Sequence, residues 1–334
     1  MADTNLQILL KRRPQGAPVP ADFDIVETPV PQPGPGEVLV RATFLSLDPY
    51  MRGRMSDGKS YSKPVELGAV MEAQTAGEVV ASNSPAFKPG DQVLGGFGWQ
   101  RYSVRPAAAL FRMGGDSAPL SASLGVLGMP GLTAWKGLED IGEPQPGETV
   151  VVGAASGAVG QVVGQIAKIR GCRVVGVAGG QDKCDWVVKE LGFDACIDHR
   201  GDLKAQLTEA CPGGIDVYWE NVGGDLQAAV MPRMNDFGRV IVCGLIAEYN
   251  DTVARPGPNL RLALVKRLRI QGFIVSDKDG WARYPGFRQQ MLAWMNEGRM
   301  KFREDIVHGL RNAPEAFIGL LKGKNFGKLV IAVD

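Results

Sequence analysis

Hydrophobic and polar positions along this 334-residue chain follow two different rhythms. Before about residue 125 the apolar stretches are short and punctuated by proline and glycine. Residues 37–42, 76–81 and 91–94 are β-rich runs, separated by turns such as Pro33-Gly34-Pro35-Gly36 and Lys88-Pro89-Gly90-Asp91. That punctuation predicts short antiparallel strands in a partly closed β domain. From about residue 148 the pattern changes. Residues 148–153 form an apolar run long enough for one buried parallel strand, and Val159, Val162, Val163 and Ile166 then recur at the spacing of one helix face. A second strand is expected at 172–178, followed by a second helix through Cys184, Val187, Val188 and Leu191 that Gly192 closes. Further strands are expected at 194–198, 216–220, 239–243 and 270–275. Six strands alternating with helices predict a doubly wound parallel sheet. The fold class is α/β, and the chain is longer than the ~250–300 residues at which single cores usually stop growing, so two domains are expected.

Composition removes several function classes. Hydrophobic residues make up 45% and charged residues 22%, ordinary for a globular protein, which excludes disordered and fibrous classes. Lys and Arg number 37 against 36 Asp and Glu, so no global field draws a nucleic acid or an anionic membrane. No run approaches the ~20 apolar residues of a membrane span, and the start Met1-Ala2-Asp3-Thr4-Asn5 lacks a basic-then-apolar order, so a cytoplasmic location is expected. The five cysteines (Cys172, Cys184, Cys196, Cys211 and Cys243) form no CxxC pair, and there are two histidines, His199 and His308. Neither a disulfide framework nor a metal site is expected from such spacing; the thiols read as buried structural groups.

The first chemical signal is Ala155-Ser156-Gly157-Ala158-Val159-Gly160, between a predicted strand and a predicted amphipathic helix. It matches the dinucleotide fingerprint with alanine in the first glycine slot. Gly157 allows close backbone approach to a pyrophosphate, and Gly160 allows close helix–strand packing. An NAD site would place Asp or Glu at the end of the second strand, about 20 residues on. This chain instead has Val177-Ala178-Gly179-Gly180, with Lys183 where a cation can reach a 2′-phosphate. NADPH is therefore expected, with Asp182 as the open alternative for a 2′-hydroxyl.

These features, with Leu47-Asp48-Pro49-Tyr50-Met51-Arg52, Gly128-Met129-Pro130-Gly131-Leu132-Thr133-Ala134, Glu220-Asn221-Val222-Gly223-Gly224, Cys243-Gly244-Leu245-Ile246, Tyr249-Asn250 and Asn325-Phe326-Gly327-Lys328, resemble the zinc-independent medium-chain dehydrogenase/reductases over essentially the whole chain. Among them the 2-alkenal, prostaglandin and curcumin reductase branch is most similar. The resemblance implies a GroES-like partly open β-barrel domain at 1–124 and 299–334, a Rossmann domain at 125–298, a cleft between them, and Met129-Pro130-Gly131 as a hinge. It implies NADPH-dependent reduction of the C=C bond of α,β-unsaturated aldehydes and ketones. Ser156, Gly157, Ala158, Val159 and Gly160 would hold the pyrophosphate, and Lys183 and His199 the adenosine side, where relatives often carry tyrosine in place of His199. Asn221, Cys243, Gly244, Leu245, Ile246, Phe273, Ile274 and Val275 would line the nicotinamide side, and Asn325 would add a contact from near the C-terminus. Tyr249, Tyr50 and Tyr61 are the candidate hydroxyl donors to the developing enolate, since a tyrosine of ordinary pKa, about 10, is protonated at neutral pH. A homodimer through the edge of the parallel sheet is also implied. Two other readings stay open: a quinone reductase on the same scaffold, and an NADPH-binding protein without turnover.

Overall fold

The structure is a computed structural model and describes residues 4–115 and 118–333; Met1, Ala2 and Asp3 of the N-terminal motif lie outside the described residues. Two compact units emerge. The first takes in the chain up to Leu124, Glu304–Asn325 and the residues from Leu329 on; the second takes in Gly125–Arg303 and Phe326–Lys328.

The first unit is antiparallel, as the proline- and glycine-punctuated runs predict. Glu37–Ser46 is its central strand, paired with Thr75–Ser82, Tyr102–Pro106 and the C-terminal strand Lys328–Ala332. Thr4–Leu10 and Phe23–Pro29 form a separate hairpin. The hairpin and the returning C-terminal helix Ala313–Leu321 meet in one core: the buried Trp99 ring stacks on Phe23 at 5.6 Å and meets Phe317 edge-on at 5.7 Å. Burying three aromatic rings together contributes several kcal/mol, which is what holds the C-terminal segment to an N-terminal core.

The second unit is the doubly wound sheet. Its strands are β1 (Thr149–Val152), β2 (Arg173–Ala178), β3 (Ala195–Asp198), β4 (Ile215–Glu220), β5 (Met234–Val242) and β6 (Arg269–Gly272). They lie in the order β3-β2-β1-β4-β5-β6, all parallel. β1 is buried on both faces, which is why it reads as an unbroken Val-rich run. Helix α1 (Gly160–Ile169) follows β1, and α2 (Gln181–Lys189) follows β2. Leu191 falls just beyond α2 but stays buried, and Gly192, at φ 72°, closes the helix with its N–H on the Val188 carbonyl.

Two expected strands are corrected. β5 starts at Met234, five residues earlier than 239, because a kink with Phe237 at φ 62° lets the chain resume pairing beyond it. β6 stops at Gly272, so Phe273, Ile274 and Val275 are not strand residues. There the Asp277 carboxylate accepts the Ile274 N–H at 3.1 Å and turns the chain, and the Phe273 ring packs edge-on against Trp219 at 6.0 Å. Met129-Pro130-Gly131 forms the first turn of the helix Met129–Gly137, inside the second unit.

One ion pair ties this sheet together from below. The Arg239 guanidinium grips Glu148 with both arms, at 2.8 and 2.5 Å, joining β5 to the loop that enters β1. Burial works against the Glu148 charge, but the Arg239 pair and the Gln145 N–H outweigh it and hold the carboxyl below its usual range. A depressed carboxylate contributes stability above its unfolded pKa and loses it as pH falls through the folded value. Glu148→Gln is therefore expected to cost about 1–3 kcal/mol at neutral pH, and progressively less in acid. Urea denaturation across pH checks this; a penalty independent of pH would refute the charge-pair explanation.

Candidate functional site

The glycine loop sits where the fold requires it, at the carboxyl end of β1. Ala154 carries the left-handed turn at φ 51°, and Gly157 closes it by donating its N–H to the Ala154 carbonyl at 2.9 Å. A Cβ at Gly160 would stand 2.3 Å from the Ala154 carbonyl oxygen and 2.8 Å from Ala155 Cα, so glycine alone lets α1 begin against this turn. No side chain caps the start of α1, so the positive end of its dipole serves whatever lies on the loop. Ser156 is buried, and Ala158 and Val159 complete the turn. Gly157 also forms a backbone bridge with Gly327, and Phe326 beside it packs edge-on against Trp186 of α2 at 5.4 Å. Asn325, half-buried, immediately precedes that segment.

The end of β2 is bare backbone with donors gathered over it. Gly180, at φ 102°, caps α2, and its N–H and that of Arg200 both reach Asp198 Oδ1 at 3.1 Å. Burial resists ionisation of Asp198, yet those two amides and the charges of Arg200 and His199 keep its carboxyl below the usual range. A Cβ on Gly179 would stand 2.8 Å from His199 Nε2, and one on Gly180 would stand 3.0 Å from an Arg200 Nη. The two glycines thus let an imidazole and a guanidinium lie across the strand end. Lys183 enters from the first turn of α2, while Asp182 beside it is exposed. Arg200 is absent from the sequence-based set, although its position directly after His199 was the available signal. The donor set of Lys183, His199 and Arg200 fits a phosphate monoester, and with the glycine loop it fits a phosphorylated dinucleotide.

At the ends of β4 and β5 a third group assembles. Asn221 donates its amide to the Gly153 carbonyl at 2.9 Å and accepts from Trp219 Nε1 at 3.1 Å, bracing the exits of β1 and β4. Cys243 and Gly244 donate their N–H groups to the Glu220 carbonyl at 2.9 and 3.1 Å, and Ile246 donates to Asn221 at 3.1 Å, so this loop continues the β4–β5 ladder. Tyr249 folds back onto it. Its hydroxyl accepts the Leu245 N–H at 3.3 Å and would lie 2.8 Å from a Cβ on Gly244. Burial pushes the Cys243 thiol up to about 12, so it is a neutral thiol at physiological pH. Phe273, half-buried, packs against Trp219 beside this corner, and Ile274 and Val275 belong to the turn after it.

Tyr50 and Tyr61 share a cluster in the first unit. The Arg54 guanidinium lies 5.4 Å from the Tyr50 ring centre and 4.6 Å from that of Tyr61, and its Nε pairs with Glu72 at 2.6 Å. Burial, then the carboxylates of Asp48 and Glu72, push the Tyr50 hydroxyl well above its ordinary pKa, so it is a donor and not a base. Tyr61 is 59% exposed, with the Arg54 guanidinium over its ring face. Among the described residues, no three or more His, Cys, Asp or Glu side chains gather as a metal site, and no helix is long and apolar enough to cross a membrane.

Residues 6–113 match the family model described as the N-terminal domain of oxidoreductase, and residues 158–296 the one described as zinc-binding dehydrogenase. The NADPH-dependent curcumin reductase of Escherichia coli is 52% identical over 98% of this chain and 97% of its own length. The tobacco 2-alkenal reductase (NADP(+)-dependent) is 40% identical over 99% of this chain and 98% of its own. The crystal structure of CurA from Vibrio vulnificus in complex with NADPH superposes with a TM-score of 0.94 at 48% identity, covering 98% of this chain and 99% of that one. The chain is thus an oxidoreductase of the zinc-independent branch of the medium-chain dehydrogenase/reductases, the branch that includes the curcumin, 2-alkenal and prostaglandin reductases.

Proposed function

We propose that this protein is an NADPH-dependent reductase of the C=C bond of α,β-unsaturated aldehydes and ketones. The observation that carries the cofactor half of this reading is the end of β2, where Gly179 and Gly180 offer no carboxylate and lie under His199 and Arg200, with Lys183 in the first turn of the helix that follows. The names of relatives at 40–52% identity support both halves. When bound, NADPH supplies the hydride that adds to the β-carbon of the substrate. The chain's own groups do the rest. The glycine loop and the start of α1 hold the pyrophosphate, and Lys183, His199 and Arg200 hold the 2′-phosphate. Asn221, Cys243, Gly244, Leu245, Ile246 and Asn325 frame the nicotinamide side, with Ile274 and Val275 at its edge. As negative charge grows on the carbonyl oxygen, the Tyr249 hydroxyl donates to it; the protonated Tyr50 hydroxyl and the neighbouring Tyr61 are the candidate donors of the first unit. The exposed Leu260, Leu264, Val265 and Ile270, on and next to the edge strand β6, support a homodimer built along that edge.

Tyr249→Phe tests the chemistry. It is expected to lower kcat with enones by roughly 10- to 100-fold and to leave reduction of a quinone nearly unchanged, because a quinone needs no enolate donor. NADPH absorbance with a panel of enals, enones and a quinone, plus product analysis for the saturated carbonyl, gives the result. An equal loss with both acceptors would sink the donor role. Turnover of quinones alone would favour a quinone reductase.

A further inference from the structure

Behind the β2–β3 corner lie two thiols that no part of the proposed reaction uses. Cys184 is on α2, one residue after Lys183, and Cys196 is on β3, two residues before Asp198. The Cys196 S–H donates to Cys184 Sγ at 2.8 Å, well inside ordinary sulfur–sulfur contact. Cys184 is buried and Cys196 partly exposed, so the Cys196 side of the pair is the one nearer solvent. We propose that Cys184 and Cys196 are a redox-active pair that a peroxide closes to a disulfide, and that closing it loosens the grip of the neighbouring corner on a 2′-phosphate.

Cys184 differs from the other cysteines. Burial pushes Cys172 up to about 11, Cys243 up to about 12, and Cys211 upward as well. Cys184 alone is drawn below the ordinary thiol range, because it accepts the Cys196 S–H. It is therefore the nucleophile of the pair, since the thiolate is the attacking species. The Cys184 thiolate attacks one peroxide oxygen, the O–O bond breaks, and hydroxide leaves and is protonated to water, giving a sulfenic acid. Cys196 sulfur then attacks the oxidised sulfur, the S–S bond forms, and the hydroxyl departs with the Cys196 proton as a second water. In total, two thiol hydrogens and two electrons pass to the peroxide.

Closure has a mechanical consequence. A bonded pair sits at ~2.05 Å, so the sulfurs must approach by about 0.75 Å from their 2.8 Å separation. That pull acts on the first turns of α2, which follow Gly180 and carry Lys183, and on β3, which ends at Asp198 and leads directly into His199 and Arg200. Donors aligned by these two elements in the reduced protein shift against one another when they are stapled. This consequence rests on the NADPH reading; formation of the disulfide does not.

The test treats the whole protein with hydrogen peroxide, blocks free thiols, and maps peptides by mass spectrometry. The expected result is a linked Cys184–Cys196 peptide two hydrogens lighter than the free pair, with Cys172, Cys211 and Cys243 still alkylated, all reversed by dithiothreitol. Alongside it, KM for NADPH rises severalfold while the rate with saturating NADH is unchanged, and the Cys184→Ser/Cys196→Ser double variant does not respond. Free alkylation of both cysteines after peroxide, or sulfinic acid without linkage, overturns the proposal. Linkage with an unaltered KM overturns the coupling to the corner. A reduced protein with no preference for NADPH would instead count against the cofactor reading and leave the peptide result standing.

Discussion

Replacing Lys183 and Arg200 together by alanine is expected to raise KM for NADPH by roughly 30- to 700-fold while leaving KM for NADH nearly unchanged. The estimate follows from about 1–2 kcal/mol for each charge-assisted contact to a phosphate made near the surface, at about 1.4 kcal/mol per tenfold. Arg200 is exposed and Lys183 half-buried, so both lie at the lower end of what such contacts contribute. The discrimination should nonetheless be large, because Ala178, Gly179 and Gly180 offer no carboxylate to a 2′-hydroxyl and the double variant leaves His199 as the one remaining donor of the proposed set. Single variants separate the contributions, and a double-mutant cycle shows whether the two cations act on one group. If KM for NADPH and NADH rise by the same factor, these residues hold something common to both cofactors and the 2′-phosphate assignment fails. If the wild-type protein prefers NADH, Asp182 decides the cofactor.

The second large effect is expected from a single methyl group. Gly160→Ala places a Cβ 2.3 Å from a carbonyl oxygen and 2.8 Å from a Cα, both backbone atoms of the glycine turn itself. A flexible side chain could swing away; these atoms can move only if the turn between β1 and α1 opens. Overpacking of this kind costs about 1–3 kcal/mol of stability, and whatever the turn does to relieve it displaces the N–H groups proposed to serve the pyrophosphate. The expected outcome is a lowered melting temperature together with a loss of more than about tenfold in affinity for either dinucleotide. Gly286→Ala provides the contrast. A Cβ there meets nothing within 4 Å and the site lies in the helix Tyr284–Asn296, so that variant should be neutral or slightly stabilising. Unchanged dinucleotide binding in Gly160→Ala would mean that the loop is not the pyrophosphate site.

The elements legible in the sequence share a physical property: their burial repeats at short range. β1 is a run of valines because both of its faces are covered, and α1 shows its face at Val162, Val163 and Ile166, all fully buried. The glycine loop was equally legible, because the demand for a missing Cβ at Gly160 comes from residues five and six positions away. Where local pattern competes with a distant contact, it misleads. Residues 270–275 read as one apolar strand, yet Phe273 is apolar because it packs on Trp219, and Asp277 turns the chain before Ile274 can pair. The early start of β5 was hidden for a similar reason, since a kink at Phe237 and Gly238 interrupts the alternation that marks a strand.

Sequence by itself therefore determined the two-part α/β plan, the order of strands and helices, the glycine loop, and the missing carboxylate at the end of β2. These are properties of neighbouring residues and of periodicity. The tertiary structure decided the rest. It laid Arg200 and His199 across Gly179 and Gly180, folded Tyr249 onto Gly244, and paired Gly327 with Gly157 from the far end of the chain. It also brought Cys196 within 2.8 Å of Cys184 across a helix and a strand. Apart from the Tyr249 fold-back, which is a loop closing on itself, each of these is a contact between elements whose separation along the chain carries no period, so only closing the sheet and packing its helices brings the groups together.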